Sequence, residues 1–193
     1  MTVTPKLSIR PLTPERWVDF EALFGKNGAC AGCWCMWWRM ASQKEYVATK
    51  GAGTKRAFKR IVTKGPPPGL LAYAGDEAVG WCAIATRDAY PRLANSKILA
   101  PVDDAPVWSV TCFFVRRDWR KRGVTVALLE EAARFAGKRG GKLLEGYPTD
   151  TKKPQPGAFV FHGLLSGFER AGFKEVARRS KTRPVVRRKA VVR

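Results

Sequence analysis

The chain has 193 residues, 45% of them hydrophobic, with 36 Lys and Arg against 16 Asp and Glu, a formal charge of +20. This length and apolar content fit a single domain, 1–193, with a sizeable core, and exclude wholesale disorder. No apolar run reaches the roughly 18–20 residues of a membrane span, and the five cysteines, an odd number, do not make a secreted disulfide framework.

The first six residues, Met1 to Lys6, lack the charged-then-apolar layout of a signal peptide. The reading is a cytoplasmic protein without membrane contact, and either a monomer or a dimer is compatible with it. The positive field attracts polyanions such as nucleic acid, ribosomes or a phosphate-rich cofactor. A merely solvated basic surface accounts for it equally well. The excess is densest in the C-terminal strand and tail, 178–193.

In chain order, Leu7 to Leu12 reads as a short strand. Thr13-Pro14 supplies an N-cap and first turn for a helix through Phe24. A Gly-, Cys- and Trp-rich loop, 25–39, follows. Helices are predicted over 42–48 and 54–63. Gly65-Pro-Pro-Pro-Gly breaks the chain, and Leu70 to Ala74 and Ala78 to Ala85, joined at Gly75-Asp76, have the pattern of a β-hairpin. The span 88–104 reads as mostly irregular. Val107 to Val115 is a buried central strand by its apolar, β-branched and aromatic content.

Arg122 to Lys138 is predicted as an amphipathic helix, with Leu128, Leu129, Ala132, Phe135 and Ala136 on its buried face. Lys142 to Tyr147 is the next strand. Phe161, Leu164, Leu165 and Phe168 have helical spacing, and Gly172 suits the position after the helix. Phe173 to Ala177 and Pro184 to Arg188 form two closing strands. The order gives one mixed α/β (α+β) domain.

One segment carries most of the chemistry. From Val110 to Leu129 a buried strand enters a short basic turn and then directly a helix. Such a turn aims backbone N–H groups, backed by the helix dipole, at a single anion. Gly123 permits close approach, and Arg120, Lys121 and Arg122 add charge. The pattern implies pyrophosphate binding without a metal.

This segment resembles motif A of the GNAT superfamily of N-acetyltransferases, Q/R-x-x-G-x-G/A, with Arg120 first, Gly123 fourth and Thr125 last, where Gly or Ala is usual. Phe168-Glu-Arg-Ala-Gly-Phe173 matches the family's aromatic-x-x-x-Gly-Phe signature, and the element order agrees over nearly the whole chain. The resemblance implies a mostly antiparallel central sheet flanked by helices, with acetyl-CoA as co-substrate. Its pantetheine arm would pair with backbone of Phe113, Phe114 and Val115, where this strand splays from the strand Leu143 to Tyr147. Arg120, Lys121, Arg122, Gly123, Val124 and Thr125 would hold the pyrophosphate. The implied reaction is direct attack of an amine, on a small molecule or a peptide, upon the thioester.

The family's usual acid, a tyrosine, is replaced by Phe168. Ser166, His162 or Tyr147 are the substitutes in reach of the motif, with release of free thiolate as the alternative. Glu145 is the first candidate base, being an ionisable group in an apolar strand; an ion pair with a nearby arginine explains it as well. Asp103 and Asp104 come second, and a solvated turn accounts for both. His162 reads as a helical residue that packs or contacts the cofactor.

Cys30-Ala-Gly-Cys33-Trp-Cys35 has half a zinc motif but no fourth ligand nearby in sequence, so no metal is expected. A disulfide or thiol switch is the alternative. Trp34, Trp37 and Trp38 offer an aromatic wall for the acceptor, or else cap the core. A second functional reading is a GNAT-fold protein working at nucleic acid or the ribosome through its basic surface.

Overall fold

The computed structural model describes residues 6–151, 155 and 160–192. Seven strands form one sheet in the order β1-β2-β3-β4-β5-β7-β6. They are β1 Leu7–Pro11, β2 Gly69–Ala74, β3 Glu77–Thr86, β4 Trp108–Val115, β5 Leu143–Gly146, β6 Lys174–Arg178 and β7 Pro184–Lys189. Only β4 and β5 run parallel; the other neighbours are antiparallel. The helices are α1 Trp17–Phe24, α2 Gln43–Thr49, α3 Ala52–Lys64, α4 Pro91–Ala94, α5 Val124–Gly137 and α6 Leu165–Arg170.

Local chemistry sets several boundaries. Ser42 caps α2 by accepting the Glu45 N–H at 3.1 Å, and the Glu45 carboxylate accepts the Ala41 N–H at 3.1 Å. This reciprocal box satisfies donors that a helix start otherwise leaves open. Thr13 does not cap α1. The chain first makes a 3-10 turn, Pro14–Arg16, and the Thr13 hydroxyl accepts from Arg16 instead. The helix expected from Phe161 begins only at Leu165, because Gly163 takes a left-handed φ of +80° and breaks the spiral. His162 therefore lies in a turn, not on a helix. The irregular span 88–104 contains α4.

The sheet has two covered faces, as strand alternation requires. Leu70, Ala72, Cys82, Ile84 and Val110 pack on the predicted face of α5, including Leu128, Leu129, Ala132, Phe135 and Ala136. Leu71, Tyr73, Trp81 and Ala83 pack on the other side with Phe20, Phe24, Trp34 and Phe58. A third cluster, including Trp38, Tyr90, Leu93, Leu99, Tyr147 and Val185, covers the β5–β7 half.

Two features of β4 position the site. Ala83 pairs with Cys112 and Ile84 with Val110, so Thr111 is an extra residue, a β-bulge. It reverses the alternation: Val110 and Phe113 both face α5, whereas Cys112 and Phe114 face the opposite layer. Second, β4 pairs with β5 only through Trp108, Ser109 and Val110. Past the bulge the two strands part.

Candidate active site

Between β4 and α5 the chain makes a 3-10 turn, Arg117–Trp119, and then the segment Arg120 to Gly123. Lys121 (φ +61°) and Gly123 (φ +79°) are both left-handed. Alternating handedness of this kind points successive amides to one side. A Cβ on Gly123 would meet nothing within 4 Å, so the glycine is needed for its backbone angle and not for space. No side chain caps α5, leaving first-turn N–H groups at the positive end of the helix dipole. Arg120, Lys121 and Arg122 are exposed around them. The one acid in the turn, Asp118, is held by Arg116 at 2.8 Å, which keeps its carboxyl below the usual range. Thr125 follows on the first turn, half-buried beside Gly167 of α6.

The open edge of β4 adjoins this turn. Arg116 N–H bonds Val79 O at 3.0 Å, and Val115 lies opposite Gly80, Phe113 opposite Cys82. In an antiparallel ladder that register turns the backbone of Phe113 and Val115 away from β3, toward the open side. Phe114 lies opposite Trp81, so its backbone faces β3. Its ring packs 5.4 Å from that of Phe24. Of the three residues expected to offer backbone groups, Phe113 and Val115 turn theirs to the open side and Phe114 turns its own to β3. Phe113 N–H donates to Phe161 O at 2.6 Å, and Val115 O accepts from Arg120 Nε at 3.1 Å.

Phe168 closes the floor of the opening. It is fully buried, with ring centroids 5.9 Å from Phe113 and 5.0 Å from Phe173. Gly146 admits it, since a Cβ there would stand 2.2 Å from the Phe168 ring. Ser166 is exposed, about 200° around α6 from Phe168, and so on the side of the helix turned away from this floor.

Glu145 and Tyr147 belong to one buried polar unit. Glu145 accepts from Arg87 at 2.6 Å, the Tyr147 hydroxyl at 2.7 Å and Arg187 Nε at 2.8 Å. The Tyr147 hydroxyl also meets Ser109 Oγ at 2.8 Å and Arg87 at 2.7 Å. Both residues are 0% exposed. Burial, then the Glu145 charge, pushes the Tyr147 phenol well above its ordinary range. Asp103 is exposed and takes a two-pronged grip from Arg187 at 2.6 and 3.0 Å. Asp104 is exposed in the same turn. The sequence marked Glu145 and Tyr147 but gave no sign of Arg87, 58 residues upstream.

The three tryptophans separate. Trp34 is a core residue, stacked with Trp17 and Phe24 at 6.4 and 5.8 Å on the α1–α3 side of the sheet. Trp38 meets His162 edge-on at 5.4 Å, and His162 Nδ1 lies 3.1 Å from Thr111 O, on the open edge of β4. Trp37 carries the Arg92 guanidinium over its ring at 4.0 Å. Burial, with the Arg183 charge, pushes the His162 imidazole well below its ordinary range. Arg39 lies over the Tyr90 ring at 4.7 Å and reaches its hydroxyl at 3.3 Å. Arg39, Arg92, Arg183 and Tyr90 were not singled out by sequence, since no spacing rule marks a loop arginine as buried.

All five cysteines are free, and the described residues hold no group of three metal-ligating side chains. Cys35 is buried and accepts the Trp81 indole N–H at 3.1 Å. The loop backbone is left-handed at Ala29, Ala31, Trp34 and Cys35. A groove lined by Lys26, Cys30, Lys50 and Lys55 lies behind this loop, on the face away from α5. The basic C-terminal segment contains the end of β6 and all of β7: Arg178 pairs with Glu175 and Asp150, and Arg187 with Glu145 and Asp103. Arg193 lies outside the described residues. No described helix is long and apolar enough to cross a membrane.

The acetyltransferase (GNAT) family profile matches residues 26–158. The chain belongs to the GNAT acetyltransferase family. The GNAT fold is also seen in solved structures. An acetyltransferase of Listeria monocytogenes is 7% identical, with 97% of this chain and 98% of that one covered and a TM-score of 0.57. The PaiA N-acetyltransferase of Thermoplasma acidophilum, solved with coenzyme A, is 14% identical over 95% and 99%, with a TM-score of 0.53. An acetyltransferase of Thermus thermophilus is 16% identical over 96% and 98%, at 0.51. No curated protein matches the chain. As a GNAT member it places its profile match across the β4–α5 turn and β5, the two walls of the opening.

Proposed function

We propose that this protein transfers acetyl from acetyl-CoA to an amine on a small molecule or peptide. One observation carries the proposal: an uncapped α5 N-terminus, entered through left-handed Lys121 and Gly123, opens beside β4 backbone that β5 leaves unpaired. The residues fit the cofactor by their donor set. Amides from Gly123 to Thr125, with Arg120, Lys121 and Arg122, are sited to hold a pyrophosphate. Val115 N–H and, once Phe161 O gives way, Phe113 N–H are the donors for the pantetheine arm. Bound acetyl-CoA supplies an activated acetyl thioester for direct attack by the amine.

The chain's own contribution is positioning and a polar backbone edge. We assign Glu145 and Tyr147 a positioning role. Their hydrogen bonds brace β5 against β4 at Ser109 and leave the carboxylate no exposed lone pair. Ser166, turned to solvent, is assigned no proton transfer. Phe168 has no proton to give, so solvent takes the proton that the attacking amine loses and protonates the leaving thiolate.

The test is isothermal titration with acetyl-CoA, followed by measurement of thiol release with a broad amine panel. Micromolar binding and amine-dependent release are expected. No acetyl-CoA binding by the intact protein overturns the proposal.

A further inference from the structure

The acceptor side of the opening is cationic, and its charge has no internal partner. Arg39, Arg92 and Arg183 take part in none of the ion pairs among the described residues. Arg39 Nε, both Nε and Nη2 of Arg92, and Arg183 Nε are buried and bond nothing. Two further polar atoms share their condition, Trp38 Nε1 and Thr149 Oγ1. Trp38 itself is 8% exposed.

These groups are neighbours. Arg39 follows Trp38 in the chain, and Arg92 N–H donates to Trp38 O at 3.4 Å. Trp38 meets His162 at 5.4 Å, and the Arg183 charge acts on His162. Thr149 N–H bonds Gly163 O at 2.8 Å, next to His162. Tyr90, under Arg39, lies close to Thr111, the bulge residue of β4. The whole set borders the bulge at which β4 leaves β5.

Buried guanidinium N–H groups are normally paired, because leaving them unmade is costly. Stacking on Trp37 and Tyr90 accommodates the flat faces of Arg92 and Arg39 but leaves N–H bonds in the planes of the guanidinium groups. The Arg183 guanidinium is pulled down to about 10 by burial with no anion to offset it. An arginine fork in that state matches a carboxylate in geometry and charge. Elsewhere the chain pairs its buried arginines: Arg87 and Arg187 have Glu145. At this site no acid of the described residues plays that part.

We propose that the acceptor is an amino-carboxylate, an amine that also carries a carboxylate, and that Arg39, Arg92 and Arg183 around Trp38 receive that carboxylate. This rests on the acetyltransferase reading above and adds the substrate class to it. The carboxylate anchors the acceptor on the arginines, two of which Trp37 and Tyr90 hold in place by stacking. The amine is then directed toward Thr111 and the open edge.

The experiment compares matched acceptors: an aromatic amino acid, its methyl ester, its amide, and the corresponding phosphate-bearing amine. The free acid is expected to win by at least about tenfold in kcat/KM over all three, the loss for one unmade charged hydrogen bond. Arg92→Gln and Arg183→Gln are expected to erase the preference through KM, with acetyl-CoA binding intact by calorimetry. Lys138→Gln, which removes a surface charge far from the site, keeps the preference. Equal use of acid and ester would sink the proposal and leave the acetyltransferase reading standing; preference for the phosphate would also sink it. A second arm needs no turnover: tryptophan fluorescence is titrated with the N-acetylated amino acid and its ester, with and without CoA. Selective binding of the acid, lost in the arginine variants, is expected even if acetyl-CoA is not bound. Indifference between the two ligands overturns the proposal.

Discussion

Arg187 joins Glu145 to Asp103. Its Nε donates to the buried carboxylate at 2.8 Å, while its other nitrogens grip the exposed one at 2.6 and 3.0 Å. Because β7 pairs Arg187 directly with Glu145 of β5, this guanidinium ties the inner end of the opening to its surface turn. Glu145→Gln is expected to destabilise the fold by about 3 kcal/mol, the low end for breaking a buried pair, because Asp103 still holds Arg187. Urea denaturation measures this. Acetyl transfer per folded molecule should fall less than about tenfold, a ΔΔG‡ of roughly 1.4 kcal/mol. A loss of several orders with an altered pH profile would make Glu145 the base.

Gly123 occupies the αL region at the start of α5 with open space around it. Gly123→Asp places a negative charge where the pyrophosphate is proposed to sit and strains the backbone by about 1–2 kcal/mol. Loss of charge-assisted hydrogen bonds worth about 1.5–3 kcal/mol corresponds to roughly 10- to 100-fold weaker acetyl-CoA binding. Calorimetry checks the affinity, and circular dichroism checks that the fold survives.

Amide exchange separates the two donors on the open edge. Phe113 N–H is already bonded to Phe161 O, and Val115 N–H faces the same side in the register with Gly80. The Val115 amide is expected to exchange quickly alone and to slow by about tenfold or more on binding acetyl-CoA. Phe113 should be slow in both states. Unchanged Val115 exchange in the saturated protein would place the pantetheine arm elsewhere.

His162 gives a pH signature. Burial holds its imidazole well below 6.5, its ordinary value, so on acidification the unfolded chain takes up a proton that the folded chain refuses. Stability is therefore lost as pH falls below about 6.5, with a limiting slope near 1.4 kcal/mol per unit. His162→Gln should flatten that slope between about pH 6.5 and 5. Denaturant midpoints across this range read it directly.

What the sequence disclosed was mostly local. The apolar stripe of α5, the β2–β3 hairpin with its Gly75 turn, and the closing strands all follow from spacing and breaker residues within one element. The turn proposed to hold pyrophosphate was legible because strand, basic loop, glycine and helix are contiguous. The proposed acceptor side was not, since Arg39, Arg92 and Arg183 come from three distant segments. Trp34 and Trp38 look alike in sequence, yet one joins the α1–α3 cluster and the other the cluster over β5 and β7. Left-handed Trp34 and Cys35 break any periodicity that could have told them apart. The start of α6 moved for a similar reason: Gly163 interrupts an apolar pattern that otherwise continues.

Thr111 has a consequence for how this chain tolerates change. With the extra residue, β4 serves two partners in two phases: before it the strand is read by β5, after it by whatever enters the opening. Deleting one residue there would leave the strand intact and its neighbours paired. Val110 and Cys112 would then continue one regular ladder against Ile84 and Ala83, so Phe113 and Val115 would keep their register with Cys82 and Gly80, and what is lost is the bulge at which β4 parts from β5. Loss of Thr111 would thus alter the opening at little hydrophobic cost, because both faces of β4 keep the partners they have.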